Sequence, residues 1–118
     1  MASIIYLDDD MIQHMLMKKL LKIHIPESNT QFFHEPEKLK IWLQENKADL
    51  ILSDLNLEGE SGWDLVEDFT KISDAPIVFI TGHASPDDKK KAKNFPQVKQ
   101  LLEKPLEKED WEKIASLI

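Results

Sequence analysis

The periodicity of this chain switches back and forth about every ten residues, and that alternation constrains its fold more than any other feature. Short apolar runs recur at Ser3–Leu7, Thr30–Phe33, Leu50–Ser53, Ile77–Thr81 and Val98–Leu102. Between them apolar residues return every three or four positions, the spacing of a helix with one buried stripe. Helices are expected over Met11–His24, Pro36–Glu45, Trp63–Ile72, Pro86–Asn94 and Glu107–Leu117. In the first, Ile12, Leu16, Leu20 and Ile23 share a face that is expected to point inward, with Pro26 marking its end. In the second, Leu39, Trp42 and Leu43 are the expected inward residues, and in the last Trp111, Ile114, Ala115 and Ile118 fall at helical spacing.

Strands that alternate one by one with helices imply right-handed crossovers and a parallel sheet covered on both faces. The unbroken apolar character of the first, third and fourth runs agrees, because strands buried on both faces lose their two-residue alternation. The expected class is therefore α/β, a single five-stranded parallel sheet with five helices. With 118 residues and no Gly/Ser- or Pro-rich linker, the chain reads as one domain spanning 1–118, with no output domain. In such sheets the functional crevice lies at the carboxyl ends of the strands.

The residues at those ends carry chemistry. The first strand runs into "YLDDD", Asp8 to Asp10, and the third ends at Asp54. The fourth ends at Thr81, and the fifth is followed by "EKP", with Lys104 and Pro105. Each piece alone is ordinary. Three aspartates after a strand make a solvated turn, with Asp10 capping the next helix. Thr81 closes a strand, Asp54 suits a turn, and Lys-Pro is a common loop dipeptide. Their joint placement at four strand ends is the signal. Clustered carboxylates repel one another and recruit a cation, and an all-oxygen donor set suits Mg²⁺. A lysine supplies a point charge and a threonine a hydroxyl donor for a phosphoryl oxygen. Nucleophile, cation, ammonium and hydroxyl are the parts of a phosphoryl-transfer site.

Composition removes other classes. There is no cysteine, so thiolate nucleophiles, disulfides and zinc thiolates are out, and a cytoplasmic setting is expected. The four histidines show no metal-ligand spacing. No apolar stretch reaches the length of a membrane span, and no signal peptide is evident. The net charge of -7 argues against direct nucleic-acid binding.

With these residues in place, the chain resembles a response-regulator receiver domain of bacterial two-component signalling, of the single-domain chemotaxis type. The resemblance rests on the acidic pair Asp8 and Asp9, Asp54 ending the third strand, Gly62 eight residues on, Thr81, and Lys104 with Pro105. It implies a flavodoxin-like fold with strand order 2-1-3-4-5, which sets the first and third strands side by side. It also implies that Asp54 is the phosphoacceptor, taking a phosphoryl group from a phosphohistidine on a sensor histidine kinase or a histidine phosphotransfer protein. By the same resemblance Asp9 binds Mg²⁺ directly and Asp8 mostly through water. Asp54 and the backbone carbonyl of Asn56 complete the metal set, Thr81 moves toward the phosphoryl group, and Lys104 pairs with it. The implied role is a switch acting on a downstream target, not an enzyme.

The chain departs from the family pattern in places. Glu58 stands where proline is frequent. Leu101 replaces an aromatic that swings inward in many members, and "NFPQVKQ" replaces a Gly-Ala pair. Two other readings stay open: a Mg²⁺-dependent phosphohydrolase working through an aspartyl-phosphate, and a pseudo-receiver that binds partners without phosphorylation. The first usually has a D-x-D nucleophile motif, where this chain has "DLN". His83 is expected at the rim of the site, and Trp63 is expected to pack beside the loop that follows Asp54.

Overall fold

The computed structural model describes residues 1–118. Strands β1 (Ser3–Leu7), β2 (Asn29–Phe33) and β3 (Leu50–Asp54) alternate with helices α1 (Met11–His24) and α2 (Pro36–Glu45). A two-residue hairpin follows, β4 (Asn56–Leu57) and β5 (Glu60–Ser61), then α3 (Gly62–Ile72). The chain continues through β6 (Ile77–Thr81), α4 (Pro86–Lys93), β7 (Val98–Glu103) and α5 (Lys108–Ala115). The main sheet is five-stranded and parallel, in the order β2-β1-β3-β6-β7. Counting only its own strands this is 2-1-3-4-5, the flavodoxin-like order. No helix is long and apolar enough to cross a membrane.

Alternation along the strands divides the interior in two. Ile5, Leu7, Ile51, Ile77 and Phe79 pack with Leu39 and Leu43 of α2 and with Leu65, Val66 and Phe69 of α3. Ile4, Tyr6, Leu50, Leu52, Val78 and Ile80 pack with Met17 and Leu21 of α1 and with Trp111 and Ile114 of α5. Both faces of the central strands are therefore filled, which is why those runs are uniformly apolar.

The phase of α1 differs from the expectation. Its buried residues are His14, Met17 and Leu21, while Ile12, Leu16 and Ile23 are exposed. Two sets compete on this helix, and the buried one packs Met17 and Leu21 on the sheet and bonds His14 to the Asp8 carbonyl. The Asp10 carboxylate accepts the Ile12 N–H at 2.9 Å, and the Asp10 N–H donates to Asp8 Oδ1 at 3.0 Å. His14 points inward, where its Nε2 donates to the Asp8 carbonyl at 2.5 Å. In α5, Ala115 and Ile118 are likewise exposed, and Ile118 lies past the end of the helix at Ala115.

The β4–β5 hairpin was not foreseen in the periodicity. Its turn relies on Gly59, whose φ of 81° favours glycine. Gly62 is required for a different reason. A Cβ there would lie 2.5 Å from Phe79 Cε1, and the Gly62 N–H donates to the Leu55 carbonyl at 2.6 Å. The glycine lets the loop after Asp54 close directly onto the sheet.

Candidate functional site

Four strand ends meet at one edge of the sheet. β1 and β3 are neighbours, with Leu7 beside Ser53, so the residues that follow each strand share a space. Asp54 pairs in register with Ile80, one residue before Thr81. The Lys104 N–H donates to the Thr81 carbonyl at 2.8 Å, which anchors the start of the loop after β7.

The side chains converge as the strand ends do. Carboxylate oxygens of Asp8, Asp9 and Asp54 all lie within 4.8 Å of one another. Asp8 is fully buried, Asp54 is half-buried and Asp9 is exposed. Lys104 Nζ stands 3.8 Å from Asp54 Oδ2 and 3.9 Å from Asp8 Oδ2. One ammonium thus faces two carboxylates, and the pocket keeps an excess of negative charge. Burial pushes the Asp54 carboxyl above its ordinary value. Lys104 opposes the rise, Asp8 adds to it, the Asn56 N–H bond opposes it, and Asp9 adds a smaller push. An excess of hard oxygen donors with no nitrogen or sulfur ligand fits a divalent cation of the Mg²⁺ and Ca²⁺ class.

The loop after β3 closes over this edge. The Asn56 N–H donates to Asp54 Oδ1 at 3.3 Å, and the Glu58 N–H donates to Asp9 Oδ2 at 2.6 Å. The Asn56 amide donates to Thr81 Oγ1 at 3.1 Å, and the Thr81 hydroxyl donates to the His83 carbonyl at 3.2 Å. Asn56 and Thr81 are therefore joined, and the exposed His83 lies at the rim. Trp63 is buried. It stacks on Phe95, meets Phe79 edge-on, and donates from Nε1 to Asp88 Oδ1 at 3.0 Å.

One participant was missed in the sequence. The Tyr6 hydroxyl donates to Asp8 Oδ2 at 2.6 Å, fully buried. In the sequence Tyr6 reads only as part of an apolar strand. The available signal was its place two residues before Asp8, because residues i and i+2 of a strand share a face. Burial, then the bond to Asp8, raises its phenol far above the ordinary value, so it stays a donor. His14 stands edge-on to the Tyr6 ring and stacks on His34 at 4.2 Å.

The family model described as "response regulator receiver domain" matches residues 4–116. Among curated proteins none matches the sequence. Solved structures do. A response regulator receiver domain protein from Clostridium thermocellum is 24% identical with a TM-score of 0.85, covering 100% of this chain and 94% of that one. A two-component response regulator from Clostridium difficile is 23% identical with a TM-score of 0.87, covering 99% and 95%. A response regulator from Burkholderia pseudomallei, solved with a phosphorylated aspartic acid, calcium ion and citrate, is 21% identical with a TM-score of 0.83. It is covered over 67% of its length by 100% of this chain.

Proposed function

This chain belongs to the response regulator receiver domain family, and from that premise we propose that it is a phosphorelay switch whose phosphoacceptor is Asp54. The observation that carries this reading is the convergence of Asp8, Asp9 and Asp54 within 4.8 Å, with Lys104 Nζ at 3.8 Å from Asp54. The Burkholderia pseudomallei relative, with its phosphorylated aspartic acid and calcium ion, supports it by likeness of fold.

In the proposed reaction an Asp54 carboxylate oxygen attacks the phosphorus of a phosphohistidine on a histidine kinase or phosphotransfer protein. The new P–O bond forms as the P–N bond breaks, and the imidazole leaves with the electron pair. Half-burial and the Lys104 charge hold the nucleophile at the pocket floor, where its approach is directed. Asp9, the Asn56 carbonyl and Asp54 would hold Mg²⁺, with Asp8 acting through water. When bound, the ion supplies positive charge to the phosphoryl oxygens. Lys104 pairs with one of those oxygens. Thr81 exchanges its present bonds, to Asn56 and His83, for one to the phosphoryl group. That exchange is the switch, and it alters what the exposed face offers a downstream partner. Residues 1–118 act as a signalling module without turnover of a substrate.

Acetyl phosphate with Mg²⁺ tests the assignment. Intact mass should rise by one phosphoryl group, and Asp54→Asn should remove the increment. Labelling that persists in the variant would mean another acceptor.

A further inference from the structure

Asp8 is held from two sides before any ligand arrives. Its Oδ2 accepts the Tyr6 hydroxyl at 2.6 Å and its Oδ1 accepts the Asp10 N–H at 3.0 Å. Its own carbonyl accepts from His14 Nε2 at 2.5 Å. An ionised carboxylate offers about four lone-pair directions. Two are filled by the protein, and the bonds that fill them fix the plane of the group. Tyr6 cannot adjust freely. It is fully buried in the layer formed with α1 and α5, with His14 edge-on at 5.3 Å and Phe32 edge-on at 6.2 Å.

We propose that Tyr6 is a positioning residue for the cation site, fixing Asp8 in one pose and thereby favouring Mg²⁺ over Ca²⁺. The proposal rests on the reading of the acidic pocket as a divalent-cation site. Mg²⁺ keeps a small octahedral shell with several waters, and a carboxylate locked in place can hold one of those waters at a constant position. Ca²⁺ accepts longer bonds and carboxylates in one- or two-oxygen poses, so it gains less from a fixed Asp8. Partners that orient a metal-binding group from behind commonly control affinity strongly. Removing the hydroxyl leaves the buried Asp8 Oδ2 with Lys104 Nζ at 3.9 Å as its nearest cation and the repelling carboxylates of Asp9 and Asp54 close by, and it frees the carboxylate to turn.

Calorimetric titration of MgCl₂ and CaCl₂ into wild type, Tyr6→Phe, Asp8→Asn and the double variant tests this. Tyr6→Phe should weaken Mg²⁺ binding roughly tenfold and Ca²⁺ binding less, so the preference between the ions narrows. In the Asp8→Asn background the second substitution should change neither affinity. An Mg²⁺ affinity in Tyr6→Phe within about twofold of wild type overturns the proposal, as does an equal loss with Asp8 already removed. A wild-type protein that binds neither ion overturns the cation reading itself, and the positioning role with it. A second measurement needs no variant. Tyr6 is the one tyrosine in the chain, so ¹³Cζ-tyrosine labelling reports on it alone. Its signal should shift with Mg²⁺ along the calorimetric binding curve, and a signal that stays still while Mg²⁺ binds refutes the tether.

Discussion

Replacing Asp54 by asparagine should make this protein more stable, although it removes the group on which the proposed function depends. Asp54 stands within 4.8 Å of both Asp8 and Asp9, and 3.8 Å from Lys104. With an effective dielectric constant near 20, each like-charge pair at that limit costs about 3 kcal/mol, and the lysine returns about 4 kcal/mol. Asp9 is exposed, so solvent screens its share further. The net repulsion is about 1–2 kcal/mol, to which the burial of a charged carboxylate adds. Asparagine keeps the shape and can still accept the Asn56 N–H. The melting temperature should rise by about 4–8 °C at pH 7 in low salt without divalent ions. The pH dependence has a definite sign. The Asp54 carboxyl is raised above its ordinary 3.8 in the fold, so the folded state holds the proton more tightly than the unfolded one. The penalty is fully present above the folded value, shrinks as pH falls through it, and is gone below about 3.8. The gap between variant and wild type should therefore close on acidification. Mg²⁺ should narrow it too, by raising wild type more than the variant. Scanning calorimetry at pH 7 and pH 4, with EDTA or Mg²⁺, provides the measurement. A variant that melts with wild type or below it at pH 7 would refute the electrostatic reasoning.

Three further outcomes are expected. Asp9→Asn should weaken Mg²⁺ binding more than Asp8→Asn, because a direct ligand places its full charge at the ion; equal calorimetric losses would contradict those roles. Gly62→Ala should destabilise the fold by about 1–3 kcal/mol in urea titrations, because the added methyl meets Phe79 Cε1 at 2.5 Å; an unchanged midpoint would show that the ring can move aside. Met15→Lys should slow phosphoryl transfer from a phosphohistidine donor but leave acetyl phosphate labelling unchanged, because Met15 is exposed among Ile12, Leu16 and Ile23 on α1; equal slowing of both reactions would point to a defect in the pocket.

Much of this arrangement was legible in the chain, for identifiable reasons. Strands filled on both faces announce themselves as apolar runs, and β1, β3 and β6 were placed to within one residue. A parallel sheet gathers its carboxyl ends on one edge, so the sequence alone groups Asp8, Asp9, Asp54, Thr81 and Lys104. Helix phase was harder. In α1 the set Ile12, Leu16, Leu20 and Ile23 and the set His14, Met17 and Leu21 both return at helical spacing. The choice depends on how the helix docks on the sheet, where His14 meets Tyr6, Phe32 and His34, and that is a tertiary feature. The result corrects the expectation that Ile12, Leu16 and Ile23 point inward, and it places the His14 ring inside against Tyr6. The β4–β5 hairpin escaped because its strands are two residues long and polar, too short to show a period. The Tyr6 tether escaped because a tyrosine within an apolar run looks like packing until its hydroxyl is followed.

Helix α4 buries no residue, and four lysines crowd its eight positions. It is held by the Ser85–Asp88 capping box, by the Trp63 bond to Asp88, and by partial packing of Ala92 and of Phe95 just beyond it. So loosely fastened a segment detaches at far less expense than the sheet beneath it. Its amides should exchange with deuterium well before those of β1 or β3. Because the indole and the cap share one carboxylate, Trp63 emission should register the detachment as it occurs.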